Sequence, residues 1–297
     1  MNDRKIRVYW VPPHKGSRES WLINQGLVNN PRVELVESEA ESDFVFQFYY
    51  CVKHRHHHVG QNFSPKKLVL IDYHDNPNWF FPVKCLAYFK RSWVSIVDHG
   101  TYTTKKPTPK PHNFYPITMA IIDEFIVKEK IERDIVLSCT LREGKQKHFN
   151  RIKLLNFMRG MDIPGKKQIG EYNGGRMGRW LGHEMMDYFR MLKRSRIVVT
   201  CNPSKWEGDH RTWEAFANGA LVFVDKIYTP LTHPLVDGEH CIFFDLSDHG
   251  LEILRKRILY YLDRTDKAER IARAGHEFTM KYHRASNRID EILDVIT

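Results

Sequence analysis

The chain runs through two successive rounds in which short apolar runs alternate with amphipathic stretches. Ile6 to Val11 reads as a short buried strand ending in Pro12-Pro13-His14-Lys15-Gly16, and Ser17 stands where an N-cap should precede a helix over Arg18 to Val28. Arg32 to Val36 and Asp43 to Tyr50 are rich in β-branched and aromatic residues. Lys67 to Asp72 is a near-continuous apolar run, the pattern of a strand covered on both faces. Leu86 to Phe89 and Val94 to Val97 are weaker strands, and the proline-rich stretch Lys105 to Pro111 reads as a surface loop near a domain junction. A helix is expected from about Ile117 to Glu132.

The second round is clearer. Strands are expected at Asp134 to Cys139, Gln168 to Tyr172, Ile197 to Cys201, Ala220 to Val224 and Cys241 to Phe244. Helices are expected around Asn150 to Arg159, Glu184 to Arg194 and Thr212 to Asn218, with two more at the end. Strands alternating with helices imply parallel sheets covered on both faces, here an α/β chain with two Rossmann-like domains facing a cleft. The expected domains are residues 1–116 and 117–297, with the last helix packing back on the first domain. Ligands in such folds bind beyond the carboxyl ends of the strands.

Composition narrows the class. With 297 residues, 42% hydrophobic and 28% charged, and no low-complexity tract, the chain is globular rather than fibrous or disordered. No run of about 20 apolar residues is present to span a bilayer, and the N-terminus enters a strand without a secretory signal, so a soluble cytoplasmic protein is expected. The five cysteines are far apart and form no C-x-x-C pair, which fits reduced core thiols. Forty-six basic against 36 acidic side chains give a formal charge of +10, which favours a polyanionic or phosphorylated partner without choosing one.

The segment His210 to Asp225 carries the most chemical information. It describes a short helix starting near Arg211, closed by Gly219 as a left-handed cap, and followed at once by a buried strand. Arg211 and Glu214 share a helix face beside a helix N-terminus, where free N–H groups favour an anion. A guanidinium for phosphate and a carboxylate for ribose hydroxyls suit a nucleotide; the spacing alone fits an intrahelical ion pair equally well.

The pattern R-x-x-E-A-x-x-x-G-A-x-x-x-x-D from Arg211 to Asp225, followed by Val236-Asp237-Gly238-Glu239-His240, resembles the donor half of GT-B glycosyltransferases, most nearly the exostosin-like members. Ile271 to Glu277 and Tyr282 to Arg288 resemble the closing helices of those enzymes. The resemblance covers the chain from about Asp134 onward. It implies that Glu214 binds the donor ribose and that Arg211 contacts phosphate or fixes the loop. It also places Arg142, Lys145 and Arg151 against the donor diphosphate, and Tyr172 beside the nucleobase. Soluble bacterial or viral enzymes fit a chain without an anchor better than secretory ones, and the association extends to UDP-xylose as a donor.

Glu207 and Glu214 are seven positions apart, whereas many retaining GT-B enzymes carry two glutamates eight apart, so an inverting reaction is expected. Inversion needs a general base on the acceptor hydroxyl. Asp72 and Asp75, at the end of a buried strand, lead the candidates, followed by His14 and then Asp98; a capping carboxylate or packed histidine is as good a reading of each. The histidine-rich run Lys53 to His58 reads as a basic solvated loop rather than a metal site. No D-x-D element, G-x-G-x-x-G or P-loop is present, so neither a metal nor another cofactor is expected. The expected function is transfer of a sugar from a nucleoside diphosphate, UDP favoured, to a glycan hydroxyl, with no nucleic-acid partner. Alternatives are a nucleic-acid-binding protein using its basic surface, or a GT-B-like protein that binds a sugar nucleotide without transferring it.

Overall fold

A computed structural model describes residues 4–13, 17–49, 62–74, 84–93, 112–142, 149–170, 183–202 and 208–297. Two fully parallel sheets organise the chain. The first contains β1 (Ile6–Val11), β2 (Val33–Val36), β3 (Phe44–Tyr49), β4 (Leu68–Asp72), β5 (Ala87–Lys90) and β6 (Phe114–Pro116), in the order β2-β1-β3-β4-β5-β6. The second contains β7 (Ile135–Thr140), β8 (Lys167–Gly170), β9 (Ser195–Val199), β10 (Leu221–Asp225) and β11 (Ile242–Phe244), in the order β11-β10-β9-β7-β8. All five residues of β4 are buried, as its unbroken apolar run requires.

The helices are α1 (Arg18–Asn29), α2 (Phe149–Gly160), α3 (His183–Arg194), α4 (His210–Ala217), α5 (Asp248–Asp263), α6 (Thr265–Tyr282) and α7 (Ala285–Ile296). Ser17 does cap α1: its Oγ accepts from Ser20 N at 3.1 Å, while Ser17 N donates to Ser20 Oγ at 2.9 Å. Gly219 closes α4 with φ of +75°, the left-handed conformation expected of it. Cys139, Cys201 and Cys241 are buried free thiols, and Cys85 is partly buried.

Two expectations change. The helix over Ile117 to Glu132 does not form; the segment is largely irregular, with one 3₁₀ turn at Asp123–Phe125. Its β-branched residues Ile117, Thr118, Ile121, Ile122 and Val127 lose side-chain freedom in a helix and are all buried in this non-helical path. Three helices, not two, close the chain, because Ile121 inserts at a break: Ile121 N donates to His283 O (2.9 Å) and Ala285 N to Ile121 O (3.0 Å). The third of these, α7, packs on α1 of the first sheet. As expected, α4 begins near Arg211, at His210, where Asp209 supplies its cap.

The expected strand over Val94 to Val97 and the proline-rich loop lie outside the described residues. One hydrophobic core runs through both halves, joining α1, β4, the 117–127 segment, α3, α4, β10 and α7. The carboxyl ends of the two sheets are thereby held in one body.

Candidate functional site

The N-terminus of α4 gathers charged side chains from both halves of the chain. Asp209 is 4% exposed and its Oδ1 accepts from Thr212 N at 3.0 Å and from Thr212 Oγ1 at 2.9 Å, an N-cap that satisfies a free donor of the first turn. Its Oδ2 takes Arg151 Nη2 at 3.2 Å and stands 3.7 Å from Arg211 Nη1. One capping carboxylate thus holds two guanidinium groups at a helix start. Burial and the neighbouring Arg211 pull the Arg151 guanidinium below its ordinary value, against the pull of Asp209.

Glu214, one turn into the helix, is 1% exposed. Arg18 Nη2 from α1 lies 2.9 Å from its Oε1, yet misaligned, so that neither Glu214 oxygen makes a hydrogen bond. Arg18 is itself stacked over Phe125, 4.8 Å from the ring centre. Buried carboxylate oxygens without hydrogen bonds are costly, and a polar ligand such as a diol would satisfy them.

Further buried polar atoms without partners lie where β9 and β10 end: Thr200 Oγ1, Asn202 Oδ1 and Asp225 Oδ2. Asp225 Oδ1 accepts from Asn202 N (2.7 Å) and Asn202 Nδ2 (3.0 Å). Burial nonetheless pushes the Asp225 carboxyl up to about 7.

In the first sheet, Asp72 ends β4 with 1% exposure and four partners. His74 Nδ1 lies 2.9 Å from Asp72 Oδ1, which also accepts from His74 N at 2.9 Å. Tyr88 OH donates to Oδ2 at 2.6 Å, and Lys90 Nζ stands 3.0 Å from the same oxygen. Burial alone would raise the Asp72 carboxyl, but His74, Lys90 and Tyr88 hold it below the usual carboxylate range. The ring of His74 is the more accessible member, 21% exposed. Its backbone carbonyl accepts from Lys90 Nζ (3.2 Å) and Ser92 Oγ (2.7 Å), so ring and backbone are both fixed.

A single buried arginine links these two groups. Arg91 donates through Nη1 to Tyr73 O at 3.2 Å and through Nη2 to Gly208 O at 2.8 Å, next to the cap of α4. Gly208 turns the chain there with φ of +80°. Glu19 and His210, 3.6 Å apart, make a further ion pair across the seam when His210 is protonated.

The structure therefore gathers Arg151, Arg211 and Glu214 around α4 and sets Asp72 at the facing strand end. Arg142 is exposed just beyond β7. Asp75, His14, Lys145 and Tyr172 lie outside the described residues, as do Asp98, Glu207 and the histidine-rich run. Sequence reasoning missed Asp209, Arg18, Arg91, Asn202 and the part of His74. Asp209 was findable as an N-cap residue preceding the helix, and Asp72-x-His74 as a pair two apart beyond a strand; the arginines have no local signal. Among the described residues, no group of histidine, cysteine and carboxylate side chains is arranged to hold a metal ion, and no helix is long and apolar enough to cross a membrane.

Comparison with known proteins bears on the fold that carries these residues. Residues 151–294 match the family described as glycosyl transferase-like, which does not distinguish the exostosin-like members expected from the sequence. No curated protein matches the chain. An α-glucosyltransferase solved with UDP and a 13-mer DNA superimposes with a TM-score of 0.63 at 11% identity, covering 100% of both chains. Anabaena Alr3699/HepE, solved with UDP and glucose, gives 0.57 at 9% identity over 99% of each chain. A glycosyltransferase from Rickettsia africae gives 0.57 at 9% identity, covering 99% of this chain and 98% of its own. One of these similar proteins thus carries DNA, so the expectation that nucleic acid is excluded has no support from them. The two parallel-sheet halves are those of the GT-B fold, and residues 151–294 carry the match to a glycosyl transferase-like domain.

Proposed function

We propose that the protein transfers a sugar from a UDP-sugar to a hydroxyl of a glycan acceptor, with inversion. The observation that carries the reading is the α4 N-terminus, where Arg151 and Arg211 converge on Asp209 beside a buried Glu214 whose oxygens lack hydrogen bonds. Arg211 and the helix N-terminus suit a diphosphate, and Glu214 suits the ribose diol. UDP is favoured because similar structures hold UDP or UDP-glucose. The charge on the leaving diphosphate is met by arginine and backbone N–H groups, so the reaction proceeds without a divalent ion.

His74 is the base in this reading, and Asp72 acts through it. With Nδ1 given to Asp72, the neutral ring accepts a proton at Nε2. The acceptor oxygen attacks the anomeric carbon as Nε2 takes its proton; the bond from that carbon to the diphosphate breaks and the electron pair leaves with UDP. Asp72 orients the ring and stabilises the imidazolium. Asp75 and His14 remain alternative bases.

Calorimetry with UDP, GDP and ADP, followed by NMR of the product anomer formed from UDP-glucose or UDP-xylose after EDTA treatment, tests the reading. Tight binding of GDP or ADP but not UDP, a retained anomeric configuration, or activity restored only by manganese would each overturn its corresponding part.

A second reading makes the acceptor a hydroxyl carried on DNA. It is favoured by the formal charge of +10 and by the similar α-glucosyltransferase solved with DNA. It predicts DNA binding that weakens steeply with salt.

A further inference from the structure

A separate cavity of about 250 Å³ lies where the carboxyl end of β6, the segment after β10 and α7 meet. One wall is apolar, built by Pro116, Pro230 and Leu231. The other is polar and centred on Arg288, which is 1% exposed. Its Nη1 donates to Thr118 Oγ1 (2.9 Å) and pairs with Glu291 Oε2 (2.9 Å), while Nη2 donates to Tyr282 O (2.7 Å) and to His283 Nδ1 (3.0 Å). The remaining donor, Nε, is buried without a partner.

Two features decide the ligand's chemistry. Arg288 and Glu291 neutralise each other, so the cavity offers no net charge to an anion. Glu291 keeps 23% of its side chain exposed, and a carboxylate has about four acceptor positions, of which Arg288 and Thr232 use only part. A ligand that donates hydroxyls to a carboxylate and lays an apolar face on proline and leucine is a sugar ring. The volume is below the roughly 300–1,000 Å³ of pockets for drug-sized ligands, which leaves room for one ring and not for a nucleotide.

We propose that this cavity binds one neutral sugar residue, bridging the two halves of the chain. The proposal rests on the glycosyl-transfer reading for its class of ligand. The cavity adjoins the transfer site: Thr118 O accepts from Tyr73 OH at 3.1 Å, between Asp72 and His74 in the chain, and Thr229, next to Pro230, donates to Arg91 O at 3.0 Å. The sugar is either a residue of the acceptor glycan or a free monosaccharide.

Saturation-transfer NMR on the full chain, with methyl glucoside, methyl xyloside and the corresponding trisaccharides, tests this. Thr232 is exposed, so Thr232→Trp should fold while filling the cavity. Signals from the native protein should fall at least five-fold in Thr232→Trp, whereas UDP affinity should stay within two-fold. Signals from trisaccharides alone identify an acceptor residue; signals from the monosaccharides as well identify a free sugar. No signal from any of these sugars, equal signals in Thr232→Trp, or stronger signals from glucuronate or glucose 6-phosphate would each overturn the proposal. UDP binding by the native protein judges the donor reading separately, so either can fail without the other.

Discussion

Arg18, at the head of the first helix, stands 2.9 Å from Glu214, inside a helix of the opposite half of the chain, with 13% and 1% of their side chains exposed. Removing one partner of such a buried pair leaves an uncompensated charge, which costs about 3–5 kcal/mol. Arg18→Met should therefore lower the unfolding free energy in urea by an amount of that order. The double variant Arg18→Met with Glu214→Gln should recover much of it. Additive losses would show that the two residues do not compensate each other.

Donor binding should depend on the same helix. Arg211→Ala and Glu214→Gln each remove a hydrogen-bonding group of the charged kind, worth about 1.5–3 kcal/mol, so UDP affinity should fall roughly 10- to 150-fold. Calorimetry on folded variants that return native affinity would remove α4 from the donor site.

Turnover should depend on the Asp72 and His74 pair. General base catalysis is worth about 10²–10⁴ in rate, so His74→Ala should lower kcat by at least ~100-fold with little change in UDP affinity. Asp72→Asn should also lower it, through the tautomer and orientation of the ring. Native turnover in His74→Ala would return the base to Asp75 or His14.

Two buried groups set opposing pH dependences of stability. Burial holds the Asp225 carboxyl at about 7 against an ordinary 3.8, so between these values the folded state keeps a proton the unfolded chain has lost, and stability falls as pH rises. Burial and the neighbouring Arg288 hold the His283 imidazole at about 2 against 6.5, so stability falls as pH drops below about 6.5. From about pH 4 to 6.5 the two slopes, each at most ~1.4 kcal/mol per pH unit, oppose one another. Asp225→Asn should leave a profile that rises more steeply with pH across that window. Denaturant titrations giving parallel profiles for native and variant proteins would contradict the Asp225 assignment.

The contact of α7 with α1 needs Gly26. A Cβ there would lie 2.5 Å from Ala285 O and 2.8 Å from Ile289 Cγ1, and a backbone oxygen cannot be moved cheaply. Gly26→Ala should cost about 1–3 kcal/mol, measured in urea, despite the better helix propensity of alanine. A gain in stability would mean that the helices do not approach so closely.

Much of this architecture is written locally. The unbroken apolar run Leu68 to Ile71, short and bounded by polar residues, reads as a covered strand, and Ser17 before an amphipathic stretch reads as a cap, because backbone donors and apolar faces are satisfied by near neighbours. The order of strands and helices along the chain, the cap at Gly219 and the placing of Arg211 and Glu214 on one helix follow from spacing alone. The segment from Ile117 to Val127 shows where local pattern stops: its apolar content reads as helix, but its hydrogen bonds include those of Ile121 to His283 and Ala285 and of Val127 to Asn218, far along the chain. Asp72 likewise reads as an accessible carboxylate until Tyr88 and Lys90 arrive from the neighbouring strand and bury it, leaving His74 as the exposed member. The same holds for Arg18 and Arg91, ordinary charged residues in sequence, which become bridges only when the two halves of the chain are brought together. Such pairings depend on distances between segments remote in the chain, and only close packing of the two halves fixes them.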